Sequence, residues 1–80
     1  MTITIKYLGL IADITQKKEE VYTSISALLT VENLVKNLLQ QYNNLSKTSF
    51  IVAVNTSIAT NDLALNNNDT IALLPPFAGG

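Results

Sequence analysis

Near the start of the chain Ile3 and Ile5 alternate with Thr2, Thr4 and Lys6. A two-residue period puts one set of side chains on each side of an extended backbone, which predicts a strand over about residues 2–8, closed by Gly9. Residues 10–18 read as a loop or short irregular turn, and Leu10, Ile11 and Ile14 take no definite side. Alternation returns over residues 20–26, with Val21, Thr23 and Ile25 set against Tyr22, Ser24 and Ser26. A hairpin between the two strands is the simplest arrangement.

The period then changes. Val31, Leu34, Val35, Leu38, Leu39 and Tyr42 recur at the three- and four-residue spacing of one helix face, with Glu32, Asn33, Lys36, Asn37, Gln40 and Gln41 opposite. Thr30 stands where an N-cap belongs. Glu32 and Lys36 form an i, i+4 pair in the favourable order, worth about 0.2–0.5 kcal/mol. Asn43-Asn44 suggests a left-handed stop.

Phe50-Ile51-Val52-Ala53-Val54 is a short apolar run rich in strand formers and reads as an interior strand. Ser57-Ile58-Ala59 fits a brief edge strand. Asn66-Asn67-Asn68-Asp69 reads as a tight turn, because Asn tolerates positive φ and bonds its own backbone. Thr70-Ile71-Ala72-Leu73-Leu74 is the last strand, stopped by Pro75-Pro76, neither of which can donate to a ladder. A hairpin, a crossing helix and returning strands make a mixed sheet packed on one main helix, an α+β domain. One helix covers one face of such a sheet. Since the strands over 50–54 and 71–74 are apolar at both alternating sets, part of the second face must meet loops or a partner.

Composition narrows the chemistry. Eighty residues make one domain with a thin core. There is no Cys and no His, so no disulfide, no thiol nucleophile, no imidazole base and no ordinary zinc or iron–sulfur site is expected. The five cations are all Lys, scattered except for Lys17-Lys18, which Glu19-Glu20 follow at once; this stretch reads as a solvated loop. With a net charge of −1 there is no basic stripe for nucleic acid. No Arg is present to clamp a phosphate. Tyr7, Tyr22 and Tyr42 read as packing residues, and the helix stripe as core. The N-terminus alternates rather than running apolar, unlike a secretory signal, and no stretch is long enough for a membrane span; a cytoplasmic location is the expectation.

The chemistry-bearing feature is the ending Leu74-Pro75-Pro76-Phe77-Ala78-Gly79-Gly80. Two of the three glycines are its last two residues, and Gly-Gly is slender and conformationally free. Pro75-Pro76 stiffens the root in a polyproline-like form. Six extended residues reach roughly 20 Å, which suits delivery of a terminal carboxylate into a narrow channel. Taken by itself the pair of glycines is equally compatible with an ordinary frayed terminus.

In this context the chain resembles the ubiquitin-like β-grasp sulfur carriers, and among them the small subunits of molybdopterin synthase. The resemblance spans essentially all 80 residues. It is carried by the Pro75-Pro76-Phe77-Ala78-Gly79-Gly80 terminus, by Tyr7-Leu8-Gly9, by Thr30-Val31-Glu32-Asn33-Leu34, by Ala53-Val54-Asn55 and by the turn over 65–69. Thiamine-pathway carriers also end in Gly-Gly but usually lack the Pro-Pro pair. One departure is the turn before the last strand, where Asn67-Asn68-Asp69 replaces an Asp-Gly-Asp-like sequence; Asn68 can take the left-handed conformation that Gly would supply.

The resemblance implies a β-grasp domain over residues 1–74 and a flexible diglycine tail over 75–80. It implies that the chain is not an enzyme on its own and binds no cofactor or metal. The Gly80 carboxylate would be adenylated by an E1-like partner that uses ATP. A persulfide sulfur donor would then convert it to a thiocarboxylate. The large synthase subunit, in an assembly of two small and two large chains, would use that sulfur to build the dithiolene of molybdopterin on a cyclic pterin phosphate. Pro75, Pro76, Phe77, Ala78 and Gly79 would occupy the partner's channel, with Phe77 as anchor. The competing expectations are a carrier for thiamine or another pathway, a protein modifier conjugated to lysines, and an interaction module using its sheet face with a passive tail.

Overall fold

The computed structural model describes residues 1–76. The elements run β1 (Thr2–Tyr7), α1 (Leu10–Thr15), β2 (Glu19–Thr23), α2 (Val31–Gln41), a 3-10 helix (Asn43–Lys47), β3 (Ile51–Val54), β4 (Ser57–Ile58) and β5 (Thr70–Leu74). They build one five-stranded sheet in the order β2-β1-β5-β3-β4. β1 and β5 are parallel, and every other pairing is antiparallel. This is the mixed-sheet β-grasp with one main helix.

The core lies between the sheet's inner face and α2. Ile3, Ile5 and Tyr7 of β1 and Ile71 and Leu73 of β5 point into it, with Val31, Leu34 and Leu38 of α2 opposite. Burying such a side chain is worth about 1.5–3 kcal/mol, so this small set dominates the stability of a short chain. The start of α2 is fully bonded. The Thr30 hydroxyl accepts the Asn33 N–H at 3.2 Å, and the Thr30 carbonyl accepts that of Leu34. The Val31 and Glu32 N–H groups donate to the carbonyls of Leu63 and Asn61. The segment before β5 thus lies over the helix start and takes up donors that helix geometry leaves open.

Four expectations change. Residues 10–15 form a helix, α1, within the span read as a loop; Ile11 is completely buried and fixes it. Six residues are less than two turns, too few to show a helical period. Asn43-Asn44 is not a left-handed stop: α2 closes at Tyr42, with φ −119°, and the chain runs on into the 3-10 helix, which buries Leu45. Lys17-Lys18-Glu19-Glu20 is not merely a solvated loop, since β2 begins at Glu19 and Glu20 turns inward. The second strand, read to residue 26, ends at Thr23; on it Tyr22 packs against the core, in keeping with its reading as a packing residue, and Val21 stays exposed. The turn behaves as expected: Asn68 has φ 70°.

That turn is held by a closed polar network. The Asp69 carboxylate accepts the Asn66 N–H at 2.7 Å and the Asn55 amide at 2.9 Å. The Asn55 side-chain carbonyl accepts the Thr70 N–H at 2.9 Å. The entry to β5 is thereby fixed.

Candidate functional site

β5 sits between β1 and β3, so its far end emerges from the interior of the sheet rather than from an edge. The ladder with β1 continues one step beyond the strand, where the Leu8 N–H donates to the Leu73 carbonyl at 3.1 Å. Pro75 then settles against Gly9. A Cβ at Gly9 would stand 3.0 Å from Pro75 Cγ, and Gly9 has φ 55°. Both facts require glycine there: the backbone is left-handed, and the proline ring occupies the space a side chain would need. Sequence reasoning treated Gly9 only as the end of a strand. The available signal was a glycine between a strand and a second apolar stretch, which often marks close backbone approach.

Pro75 is half-buried in this seat and Pro76 is exposed. The structure therefore places the root of the tail at one end of the sheet, beside Leu8 and Gly9. The expectations for Phe77, Ala78, Gly79 and Gly80 lie outside the described residues. A groove of about 490 Å³ adjoins the root, running from Lys6 to Gly9 with Asp13, Lys18 and Glu19 at its rim.

The outer face of the sheet leads to the same place. Cross-strand register sets Glu19, Lys6, Ala72, Ala53 and Ile58 in one row, and Leu74 beside Ile51 in the next. Toward β3 and β4 this face carries small and aliphatic residues only, and Ile58 is 73% exposed. Leu74 is both part of this apolar area and the residue before Pro75, so apolar surface and tail root are continuous.

The one cluster of interacting ionisable groups among the described residues lies on the opposite, inner face. The Tyr7 hydroxyl donates to Glu20 Oε1 at 2.7 Å; the Tyr42 hydroxyl and Lys17 Nζ donate to Oε2 at 2.8 and 2.7 Å. The two tyrosine rings meet edge to face at 6.0 Å. Burial alone would raise the Glu20 carboxyl, but the bonds from Lys17, Tyr7 and Tyr42 outweigh it and hold it below its ordinary value. Burial, and then Glu20, push the Tyr7 phenol far above its ordinary value. Such a carboxylate stays charged and such a phenol stays neutral at physiological pH, so neither is poised to exchange a proton. The cluster ties β1, β2 and the end of α2 together.

Among the described residues no three His, Cys, Asp or Glu side chains converge on a metal position, and no helix is long and apolar enough to cross a membrane. What the fold presents is a five-stranded sheet whose outer surface is apolar toward β3 and β4, with the Pro75-Pro76 root leaving its central strand.

Comparison with known proteins gives the family. The ThiS family pattern matches residues 5–80, and the chain belongs to that family of small ubiquitin-like sulfur carriers. Among solved structures it is similar to a chain assigned as molybdopterin converting factor subunit 1 from Pyrococcus furiosus, with 16% identity, 96% of this chain and 99% of that one covered, and a TM-score of 0.88. It is similar to the small archaeal modifier protein 1 of Haloferax volcanii, with 19% identity, coverage of 95% and 98%, and a TM-score of 0.82. It also resembles a chain in the complex of subunits 1 and 2 of the molybdopterin-converting factor from Helicobacter pylori, with 22% identity, full coverage of both chains and a TM-score of 0.72. At these identities the likeness speaks for the fold.

Proposed function

We propose that this chain is the sulfur-carrying small subunit of a molybdopterin synthase, and that its reactive group is the Gly80 carboxylate. The observation that carries the reading is the stalk: a Pro75-Pro76 root, seated on Gly9, leads directly from a central strand into Phe77-Ala78-Gly79-Gly80. Membership of the ThiS family supports the carrier role. The Pro-Pro root and the likeness to converting-factor subunits support the molybdopterin branch.

A carboxylate carries no sulfur and is a poor electrophile. An E1-like enzyme first joins the Gly80 carboxylate to the α-phosphate of ATP and releases pyrophosphate. A persulfide donor attacks the resulting acyl-adenylate, AMP leaves, and a thiol takes the outer sulfur's place in a disulfide as the terminal thiocarboxylate is freed. The thiocarboxylate is a strong, already ionised nucleophile at neutral pH, and the large subunit directs it to the cyclic pterin phosphate. Acid, base and phosphate-binding groups come from the partners. This chain contributes its stalk, with Phe77 as the anchor in the channel, and its outer apolar surface around Ile51, Ile58 and Leu74 as the docking face.

The test is reconstitution with a large synthase subunit, an adenylating enzyme, ATP, a sulfur donor and the pterin precursor. Formation of molybdopterin that is lost on removing Gly79-Gly80 supports the proposal. A thiocarboxylate that forms but is not consumed by the large subunit moves the chain to another sulfur pathway. The likeness to the archaeal modifier favours one second reading, conjugation of Gly80 to lysines. Isopeptide-linked Gly80 on other cellular proteins, found by mass spectrometry, decides for it.

A further inference from the structure

Burial settles the sidedness of β1: Ile3, Ile5 and Tyr7 are inside, so Thr2, Thr4 and Lys6 face outward. On β5 Ile71 and Leu73 are inside in the same way, which leaves Thr70, Ala72 and Leu74 on the outer side. Charge is sparse on this face. Among the outward residues of the five strands only Lys6 and Glu19 carry any. The two stand in one row, yet they form no ion pair. The ion pairs among the described residues use Lys17 and Lys36, and the Lys6 side chain is exposed.

Position makes this lysine matter. It is in register with Ala72, on the strand that carries the tail. At about 3.3 Å per residue and about 4.8 Å between strands, Lys6 stands roughly 11 Å from the root at Pro75. Glu19 lies one strand further out. A protein that takes up the tail must sit over the root. An interface of standard size covers about 800 Å² on each side, a patch about 16 Å in radius. Lys6 falls inside such a patch, and Glu19 falls toward its rim, where a charge keeps its water. An ammonium covered by a partner loses hydration, which is costly unless an opposite charge replaces the water. Its own surroundings do not supply one. Ala72 across from it and Thr4 along the strand are uncharged. Asp13 and Lys18, which share the groove beside the root, cancel each other in sign.

We propose that Lys6 is the residue by which this surface selects its partner, and that the large subunit receiving the tail sets an aspartate or glutamate side chain against it. The inference rests on the function proposed above and adds the chemistry of recognition to it. Apolar contact around Ile51, Ile58 and Leu74 supplies area but accepts any apolar surface. One cation beside that area discriminates, because a partner with a lysine, or with only apolar groups, at the facing position leaves the ammonium unpaired. A phosphate-rich partner is not favoured: a single lysine with a carboxylate in the same row offers no track of positive charge.

Calorimetric titration of the full chain with a large synthase subunit tests this. Lys6→Arg keeps the charge and binds within about twofold of the parent. Lys6→Met keeps an unbranched stem without the charge and binds about threefold to tenfold more weakly. Lys6→Glu sets like charges together and loses about another tenfold. Glu19→Gln removes the competing carboxylate and tightens the complex by about twofold. Because Lys6 is exposed, all four variants melt as the parent does. A parent that binds while Lys6→Glu binds no more weakly than Lys6→Met overturns the inference and leaves the synthase reading standing. So does a parent that binds while Lys6→Arg falls as far as Lys6→Met, since that reports lost shape rather than charge. A parent that the large subunit does not bind, although its thiocarboxylate forms, removes the synthase reading and this inference together.

Discussion

The two faces of this sheet are built from the same strands and obey opposite rules. On the inner face every position is determined from within the chain: Ile3, Ile5, Ile71 and Leu73 meet α2, and the one inward carboxylate, Glu20, receives three hydrogen bonds. On the outer face Ala53, Ala72, Ile51, Leu74 and Ile58 have no covering helix. Inner residues are fixed by packing, and their loss is felt as instability. Of the outer residues Ala53 is nearly buried and Ile51, Ala72 and Leu74 are partly so, while Ile58 stands clear of packing and is the position where a docked partner, as proposed, would account for an apolar side chain.

Substitutions graded across the two faces sharpen the contrast. The largest effect on stability is expected at the centre of the core: Leu34→Ala leaves a cavity against the sheet and costs about 2–5 kcal/mol in denaturant unfolding. Next comes Glu20→Ala, which strips the partner from the hydroxyls of Tyr7 and Tyr42 and costs about 1–3 kcal/mol. The same variant changes the pH dependence. The folded Glu20 carboxyl lies below its unfolded value, so its contribution is complete above the ordinary carboxylate range and fades as pH falls through the lowered folded value. Unfolding measured down an acid series should therefore show a shallower loss of stability in Glu20→Ala than in the parent; an unchanged slope would remove Glu20 from the account.

Gly9→Ala comes third, at about 1–2 kcal/mol for a left-handed alanine. Because the new methyl also meets Pro75, sulfur transfer should fall by more than the fraction unfolded explains. The smallest effect on stability is expected at Ile58→Lys, within about 0.5 kcal/mol of the parent. If the outer surface docks on a large synthase subunit as proposed, this variant weakens that complex by about tenfold or more, as calorimetry would show. If Leu34→Ala and Ile58→Lys behaved alike in both assays, the distinction between the faces would be lost.

Much of this was legible in the residues, for physical reasons that differ by element. α2 spans three turns, so its stripe from Val31 to Tyr42 repeats often enough to fix both its extent and its buried side, and Thr30 marks its start. β1 alternates cleanly because one face is buried and the other is polar. The alternation over β2 left its buried side open: Val21 is apolar and exposed, while Glu20 and Tyr22 turn inward, since hydrogen bonding to Tyr7, Tyr42 and Asn37 compensates their polar ends. α1 was hidden because its shape comes from burying Ile11, a contact over distance that no local period records. Of the candidate site, the ending was plain in the sequence, but the seat of Pro75 on Gly9 joins residues 66 positions apart and needed the parallel pairing of β1 and β5 to be seen.

The most direct measurement is the intact mass of the chain after incubation with an E1-like adenylating enzyme, ATP and a persulfide donor. The account predicts that one oxygen is exchanged for one sulfur, located at residue 80 by fragmentation, and that a chain ending at Ala78 gains nothing while melting as the parent does. Sulfur appearing anywhere else in the chain, or a shortened chain that still carries and delivers it, would contradict the account.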